Sequence, residues 1–386
     1  MALNNIAFIF PKFPVKSETF ACLDVKSLLN NGVNIDVYTL RSSGNDKESI
    51  LKERKLEGLF VCESSFISSF LSILKFANAF LYLLYVSVVY EKTMRNTLRV
   101  IFHIPSSIYI WSKIKSNNYQ CVHLFWGHTP SLVGVLISRY SPQINYTMFL
   151  GAYDLYLKMG ISKLACNNAK IIFTHAKCNI NTIVENNGVG PEKVKVIYRG
   201  IDICKVEDYQ LDKIPSSWIL SSRLIPSKRV DLAINHFKSV VNSDDSSTLH
   251  IFGDGSERTK LERLVSDLNL TEHIKFYGHV SQERMFETMA KCEFALLLSQ
   301  KTGECLPNAV KEAMSFRCKV LVSNTPGIKE LIPNSMLGVV VESDFDKISP
   351  CMFSEVSPKL AKQHIHDYFD SDNSAKSYIE YWKQLA

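Results

Sequence analysis

Two glutamates with seven residues between them, Glu304 and Glu312, flank the run Cys305-Leu306-Pro307-Asn308. Pro307 fits the first position of a helix, because its missing N–H is one the helix has no use for and its fixed φ is already helical. A helix is therefore expected from about Leu306. Its first N–H groups have no internal partners, and the partial positive charge of the helix end adds to them, so the tip can hold an anion such as a diphosphate. Glu312 shares a helix face with Asn308 and stands about 12 Å from Glu304 at 1.5 Å of rise per residue. Carboxylates on both sides of an anion site suit a ligand with hydroxyls at either end of a diphosphate, as in a nucleotide sugar.

The elements around this stretch follow from apolar runs. Glu293 to Ser299 and Lys319 to Ser323 read as buried parallel strands before and after the helix. Upstream, strands are expected at Asn5 to Pro11, Val33 to Leu40, Gln120 to Trp126, Asn145 to Leu150, Ala169 to Thr174 and Lys193 to Tyr198, with helical stretches between them. Cys204 to Ser217 loses strand periodicity and reads as a linker. Ile219 to Ser222 then opens a second sheet, continued at Leu249 to Phe252 and Lys275 to Tyr277. Such β–α alternation predicts two doubly wound α/β domains, which bind ligands beyond the carboxyl ends of their strands. Arg223 and Lys228 follow one such strand end, where a guanidinium and an ammonium can stabilise charge on a departing phosphate.

Glu304 and Glu312 within GECLPNAVKEAM, together with Arg223 and Lys228 in RLIPSKR, Gly253-Asp254-Gly255, Arg199-Gly200-Ile201-Asp202 and Thr325-Pro326-Gly327, resemble the retaining nucleotide-sugar glycosyltransferases of the GT-B fold, family 4 type. The resemblance covers nearly the whole chain and implies two Rossmann-like domains facing across a cleft. Expected are an acceptor-binding domain at 1–204, a donor-binding domain at 205–365 and a helix at 366–386 crossing back to the first. It also implies roles: Glu304 on the donor sugar, Glu312 on the ribose, Arg223 and Lys228 on the diphosphate, with Gly253, Gly255, Cys305, Leu306, Pro307 and Asn308 at the donor. The donor it implies is a UDP- or GDP-linked sugar, with no cofactor and no metal. A subset of the family carries Ser-Glu-Thr-Phe facing the acceptor, which maps onto Ser17, Glu18 and Thr19; as a bare sequence these are equally good helix caps. The resemblance further implies that His128 substitutes for the histidine of one motif of that domain, on the acceptor, and that Asp154 matches the acid of a second, with a catalytic role. Phe125 and Gly151 stand where the family usually has histidines, and Arg317 and Lys319 where it has Gly and Pro. A side chain at a helix end requiring φ > 0 costs about 1 kcal/mol. The implied activity is sugar transfer to a glycan or lipid-linked glycan in bacterial surface polysaccharide synthesis. The departures keep a catalytically inactive scaffold in view as the alternative.

Composition sets limits. The chain has 386 residues, 46% hydrophobic and 21% charged, as two globular domains require. Its ten cysteines include no CxxC pair and no metal-ligand spacing. With no GxGxxG run a dinucleotide oxidoreductase is disfavoured, and with no recognisable binding module so is nucleic acid. Residues 1–204 carry 22 Lys and Arg against 13 Asp and Glu. This basic half, and the nearly uncharged run Phe66 to Tyr90 followed by Lys92, Arg95 and Arg99, suit an anionic membrane surface; a pair of buried helices is the other reading of that run. The absence of a charged-then-apolar leader points to the cytoplasm, on the inner face of the membrane. Tyr378, Tyr381, Trp382 and Leu385 form an apolar stripe on a last helix.

Overall fold

The computed structural model describes residues 5–203, 206, 209, 211–300, 304–342 and 347–385. Two compact units divide the chain, Met1–Arg199 with Ser371–Ala386, and Gly200–Asp370.

The first unit holds a seven-stranded parallel sheet of β1 (Ile6–Phe10), β2 (Ile35–Thr39), β3 (Val61–Glu63), β4 (Cys121–Leu124), β5 (Tyr146–Phe149), β6 (Ile171–Thr174) and β7 (Val194–Val196). The order is β3-β2-β1-β4-β5-β6-β7, so the winding reverses between β1 and β4. Every residue of β1, β4, β5 and β6 is buried, because helices cover both faces and an apolar run then costs nothing on either side. Alternation along β1 feeds two cores. Ala7 and Ile9 point to the helices Ala77–Tyr90, Met94–Ser116, Ser131–Tyr140 and Gly160–Asn168. Ile6, Phe8 and Phe10 point to the helix Thr19–Asn30 and to the last helix, Ser371–Lys383. That last helix returns to the first unit as expected: Tyr378 and Trp382 are buried, Tyr381 and Leu385 partly so. Trp382 Nε1 donates to Thr147 Oγ1 at 3.1 Å.

The second unit is a six-stranded parallel sheet of β8 (Ile214–Ser221), β9 (Thr248–Phe252), β10 (Ile274–Gly278), β11 (Cys292–Leu297), β12 (Lys319–Ser323) and β13 (Val339–Val341). Its order, β10-β9-β8-β11-β12-β13, reverses between β8 and β11. Trp218 on β8 stacks on Phe294 of β11 with ring centroids 4.4 Å apart, at the centre of the core.

Three local expectations need correction. Strand β8 starts at Ile214, inside the stretch read as linker; Ser216 takes φ +56 there and the pairing to β11 shifts register nearby, which hides the strand from a periodicity reading. Cys204, Lys205, Glu207, Asp208 and Gln210 of that stretch lie outside the described residues. Strands β3 and β13, three residues each at opposite sheet edges, went unread. Phe66–Tyr90 is a pair of helices but not a buried one: Phe66–Lys75 and Ala77–Tyr90 meet at 100° and leave Phe66, Phe70, Leu74, Leu81 and Tyr85 exposed. Among the described residues no single helix is long and apolar enough to cross a membrane.

Candidate functional site

In the second unit the switch point gathers several of the sequence-derived candidates. After β8 the chain passes through Arg223 into a short 3-10 turn, Pro226–Lys228, and then the helix Val230–Ser243. After β11 it runs through Ser299 to Glu304. Because β8 and β11 are neighbours, these two exits lie side by side: Gln300 N donates to Ser227 O at 2.8 Å. There Lys228 Nζ pairs with Glu304 Oε2, both side chains mostly buried, and Ser299 Oγ donates to the same oxygen at 3.3 Å. Arg223 is exposed and has no ion pair among the described residues. Lys301, Thr302 and Gly303 lie outside the described residues.

The Gly-Asp-Gly turn after β9 is built by backbone packing on the β8 exit. A Cβ on Gly253, whose φ is +119, would sit 1.9 Å from Ser222 O, and one on Gly255 would sit 2.3 Å from Leu224 O. Only glycine permits that approach. Leu224 N donates to Asp254 O at 2.9 Å and Glu257 N to Leu224 O at 2.9 Å, locking the two turns together. Asp254 is engaged with Arg258 at 3.0 Å.

Pro307 is not the first helical residue. It has φ −67 and ψ 126, so it caps the helix Asn308–Ser315 from an extended conformation. The reason is local: Pro307 O accepts from both Val310 N and Lys311 N, at 3.2 and 3.3 Å, which is what a capping residue's carbonyl does. The N–H groups of Asn308 and Ala309 are left without a backbone acceptor among the described residues, so the helix tip lies one residue later than the sequence suggests. Cys305, Leu306 and Pro307 are buried, leaving their backbone rather than their side chains to meet a ligand. Asn308 Oδ1 accepts from Lys311 Nζ at 3.1 Å; Lys311 is itself 1% exposed and lies over the Phe369 ring. Glu312 accepts from Gln282 Nε2 at 3.4 Å. The helix ends with Arg317 at φ +62, Arg317 N donating to Met314 O and Cys318 N to Ala313 O, at 3.0 and 2.9 Å. This is the left-handed closure in which glycine is usual.

The remaining candidates belong to the first unit and surround its own switch point. Ser17, Glu18 and Thr19 follow β1 at the start of the helix Thr19–Asn30, and no side chain caps that helix. Burial raises the Glu18 pKa, while a hydrogen bond with Trp126 and the charge of Arg199 pull it back. Asp154 lies beneath the loops after β4 and β5. It accepts from Gly151 N at 3.0 Å, and the Gly127 and His128 N–H groups point at the same carboxylate without full hydrogen-bond geometry. Burial pushes its pKa up to about 7 against those N–H groups. At 7% exposure Asp154 grips backbone and offers no open side to a substrate. His128 Nδ1 accepts from Thr129 N at 2.8 Å, which places the ring proton on Nε2 and makes that nitrogen a donor. Burial, with Arg99, His103 and Arg41 nearby, lowers its pKa to about 3, so the ring is neutral in any physiological medium.

The two departures have physical grounds. Phe125 is 1% exposed within a cluster that includes Phe10, Phe20 and Phe149. Any side chain at Gly151 would begin with a Cβ 2.9 Å from the Trp126 ring. Neither position has room for a histidine facing a ligand. Sequence reasoning gives Arg199 no role beyond its place in the run Arg199-Gly200-Ile201-Asp202. Arg199 donates from Nε to Asp24 Oδ2 at 3.0 Å and stacks between Phe20 and Phe149, centroid distances 4.4 and 4.5 Å. It thereby fixes the segment that carries Ser17 to Phe20.

With this geometry in place, the similarities can be stated. Residues 207–349 match the model of the family described as Glycosyl transferases group 1. Among curated proteins, a Campylobacter jejuni N-acetylgalactosamine-N,N'-diacetylbacillosaminyl-diphospho-undecaprenol 4-alpha-N-acetylgalactosaminyltransferase is 28% identical over 181 residues, 46% of this chain and 47% of that protein. A Staphylococcus aureus poly(ribitol-phosphate) alpha-N-acetylglucosaminyltransferase is 27% identical over 177 residues, 42% of this chain and 34% of that protein. The chain thus spans about half or less of the length of these relatives. Among solved structures, Anabaena HepE in complex with UDP superposes with a TM-score of 0.73 at 15% identity, covering 98% of this chain and 100% of that one. The lipopolysaccharide outer core galactosyltransferase WaaB gives 0.68 at 16%, covering 98% and 99%. These likenesses show the fold: two parallel-sheet α/β domains of the GT-B type.

Proposed function

From the premise that this chain carries a Glycosyl transferases group 1 domain at residues 207–349, we propose that it is a retaining, nucleotide-sugar-dependent glycosyltransferase of bacterial surface polysaccharide synthesis. Its acceptor is a glycan or lipid-linked glycan, met in the cytoplasm at the inner face of the membrane. The observation that carries the reading is the Lys228–Glu304 pair beside the tip of helix Asn308–Ser315, at the carboxyl end of β8 and β11. Support also comes from the acceptors and transferred sugars in the names of the relatives and from the UDP held by HepE.

In this reading the donor diphosphate takes the helix tip and competes for Lys228. The ammonium turns to the phosphate, and the freed Glu304 carboxylate accepts from the sugar hydroxyls. Arg223, exposed and unpaired among the described residues, adds the second positive charge, so neutralisation needs no metal. The bond from the anomeric carbon to the diphosphate breaks on the same face that the acceptor hydroxyl attacks, and the leaving phosphate oxygen takes the hydroxyl proton. Charge growing on that oxygen is met by groups already in place, which is where such sites gain most of their rate. Glu312 binds the ribose. In the first unit Ser17, Glu18, Thr19 and the Nε2–H of His128 receive the acceptor, and Asp154 holds the loop that presents His128.

Titration calorimetry with UDP and GDP, paired with a turnover assay, tests this. Glu312→Ala weakens nucleotide binding about tenfold, the loss of a hydrogen-bonded anchor of about 1.4 kcal/mol. Arg223→Ala lowers kcat as well. Nucleotide affinity and turnover unchanged in both variants would refute the assignment, and inversion at the anomeric carbon of the product would refute retention.

A further inference from the structure

Large apolar side chains are exposed mostly in one place. Of the 21 that stand out among the described residues, 13 lie between Phe66 and Phe102. Helix Phe66–Lys75 is turned inside out. Phe66, Ile67, Phe70, Leu71 and Leu74 face outward, Phe66 at 86% exposure, while Ser69 and Ser72 are the residues it buries, at 5% and 8%. Ser72 satisfies its hydroxyl on Ser68 O at 2.8 Å. A helix that seats serines inside and phenylalanines outside is oriented for an apolar medium, not for water. The next helix continues the surface with Leu81, Tyr85, Val88 and Val89, and helix Met94–Ser116 adds Met94, Leu98 and Phe102.

Charge on these helices has one sign. Lys75, Lys92, Arg95, Arg99, Lys113 and Lys115 fall within residues 66–116, and the only acid is Glu91. Glu91 is 8% exposed and turned inward, accepting from Ile161 N at 2.8 Å. Arg95 and Arg99 follow Met94 and Leu98 by one residue each, so the cations border the apolar stripe on the same helix. The far end of the second helix is anchored: a Cβ on Gly160 would sit 1.9 Å from Tyr90 O, so the loop leaving that helix is pressed against the helix Gly160–Asn168.

We propose that this three-helix face docks on an anionic lipid bilayer, with the outward side chains of Phe66–Lys75 entering the acyl boundary and Arg95, Arg99 and Lys92 meeting lipid phosphates. The proposal deepens the reading above by naming the surface that would bring the site to a membrane. Apolar insertion and basic attraction are the two signals that reversible attachment to a leaflet requires. A second copy of the chain fits the same face poorly, because a two-fold contact would set each copy's Lys and Arg border against its like.

Flotation with vesicles tests it, using the whole chain. Wild type is expected to float with phosphatidylglycerol/phosphatidylcholine vesicles and to float at least tenfold less with phosphatidylcholine alone. Phe66→Ser/Phe70→Ser/Leu74→Ser and Arg95→Glu/Arg99→Glu are each expected to lose at least tenfold of the bound fraction. Phe66, Phe70, Leu74 and Arg95 are exposed and Arg99 half-buried, and unaltered thermal unfolding verifies the fold. Wild type left at the bottom of the gradient overturns the proposal, and so do both variants floating like wild type. A dimer in sedimentation velocity that the triple serine variant dissociates assigns the face to self-association and overturns it too. Flotation needs neither donor nor turnover, so it stands or falls apart from the Glu312 and Arg223 experiments.

Discussion

Replacing Arg317 by glycine tests how the helix Asn308–Ser315 is terminated. Arg317 holds φ +62 at the end of Asn308–Ser315, its exposed side chain without an ion pair among the described residues. A left-handed conformation costs a residue with a Cβ about 1–2 kcal/mol, and glycine escapes that cost. Glycine's freer unfolded chain takes back about 0.4–1 kcal/mol. The expected net gain is therefore about 0.5–1 kcal/mol, which for a unit of this size moves Tm by about 1–4 °C. Urea unfolding followed through Trp218, buried in the core of the same unit, reads the change as a higher midpoint at unchanged slope. The control is Arg317→Ala, which keeps the backbone strain and removes only the charge. Arg317 lines a cavity with Lys213, Lys319 and Lys362, so relief of repulsion is the competing cause. If alanine stabilises as much as glycine, the strain argument is refuted and repulsion is the cause.

Three other outcomes follow from the same coordinates. Gly253→Ala places a Cβ 1.9 Å from Ser222 O at a φ of +119, and a loss above about 3 kcal/mol is expected in denaturant unfolding. Trp382→Ala empties a fully buried site and strands Thr147; about 3–5 kcal/mol should be lost from the first unit. Asp154 gives a pH signature. Its folded pKa, about 7, lies above the unfolded value of 3.8, so its contribution is fully present below pH 4 and is lost as pH rises to 7. Asp154→Asn should flatten that slope in melting curves taken from pH 4 to 8, while lowering stability overall because the amide nitrogen cannot accept from a backbone N–H.

Legibility differed by kind of feature. The central strands were readable because doubly buried strands are unbroken apolar runs, whereas β3 and β13 are three-residue edge strands of mostly half-buried side chains. Lys228 and Glu304 could be named because each sits at a recognisable strand exit; that they pair depends on β8 and β11 being neighbours, which is topology. Pro307 was placed one position off because helix-start preference does not tell a cap from a first turn. Arg199 was missed as a clamp because Asp24, Phe20 and Phe149 are far from it in sequence. The helix Phe66–Lys75 shows the deepest limit: hydropathy reports how apolar a segment is, and only coordinates report which way its serines point.

The route of the chain has its own consequence. The first unit leaves its sheet at Arg199 and recovers its last helix only at Ser371, with the whole of Gly200–Asp370 strung between. On a ribosome, the second unit emerges complete while the first still lacks Tyr378 and Trp382, so Phe8 and Phe173 stand uncovered until residues 371–385 arrive. The earlier-made half is thus the later one to mature. A premature stop between Gly200 and Asp370 truncates the second unit and also deprives the first of its last helix, and a chaperone attending synthesis of this chain would hold the amino-terminal sheet longest.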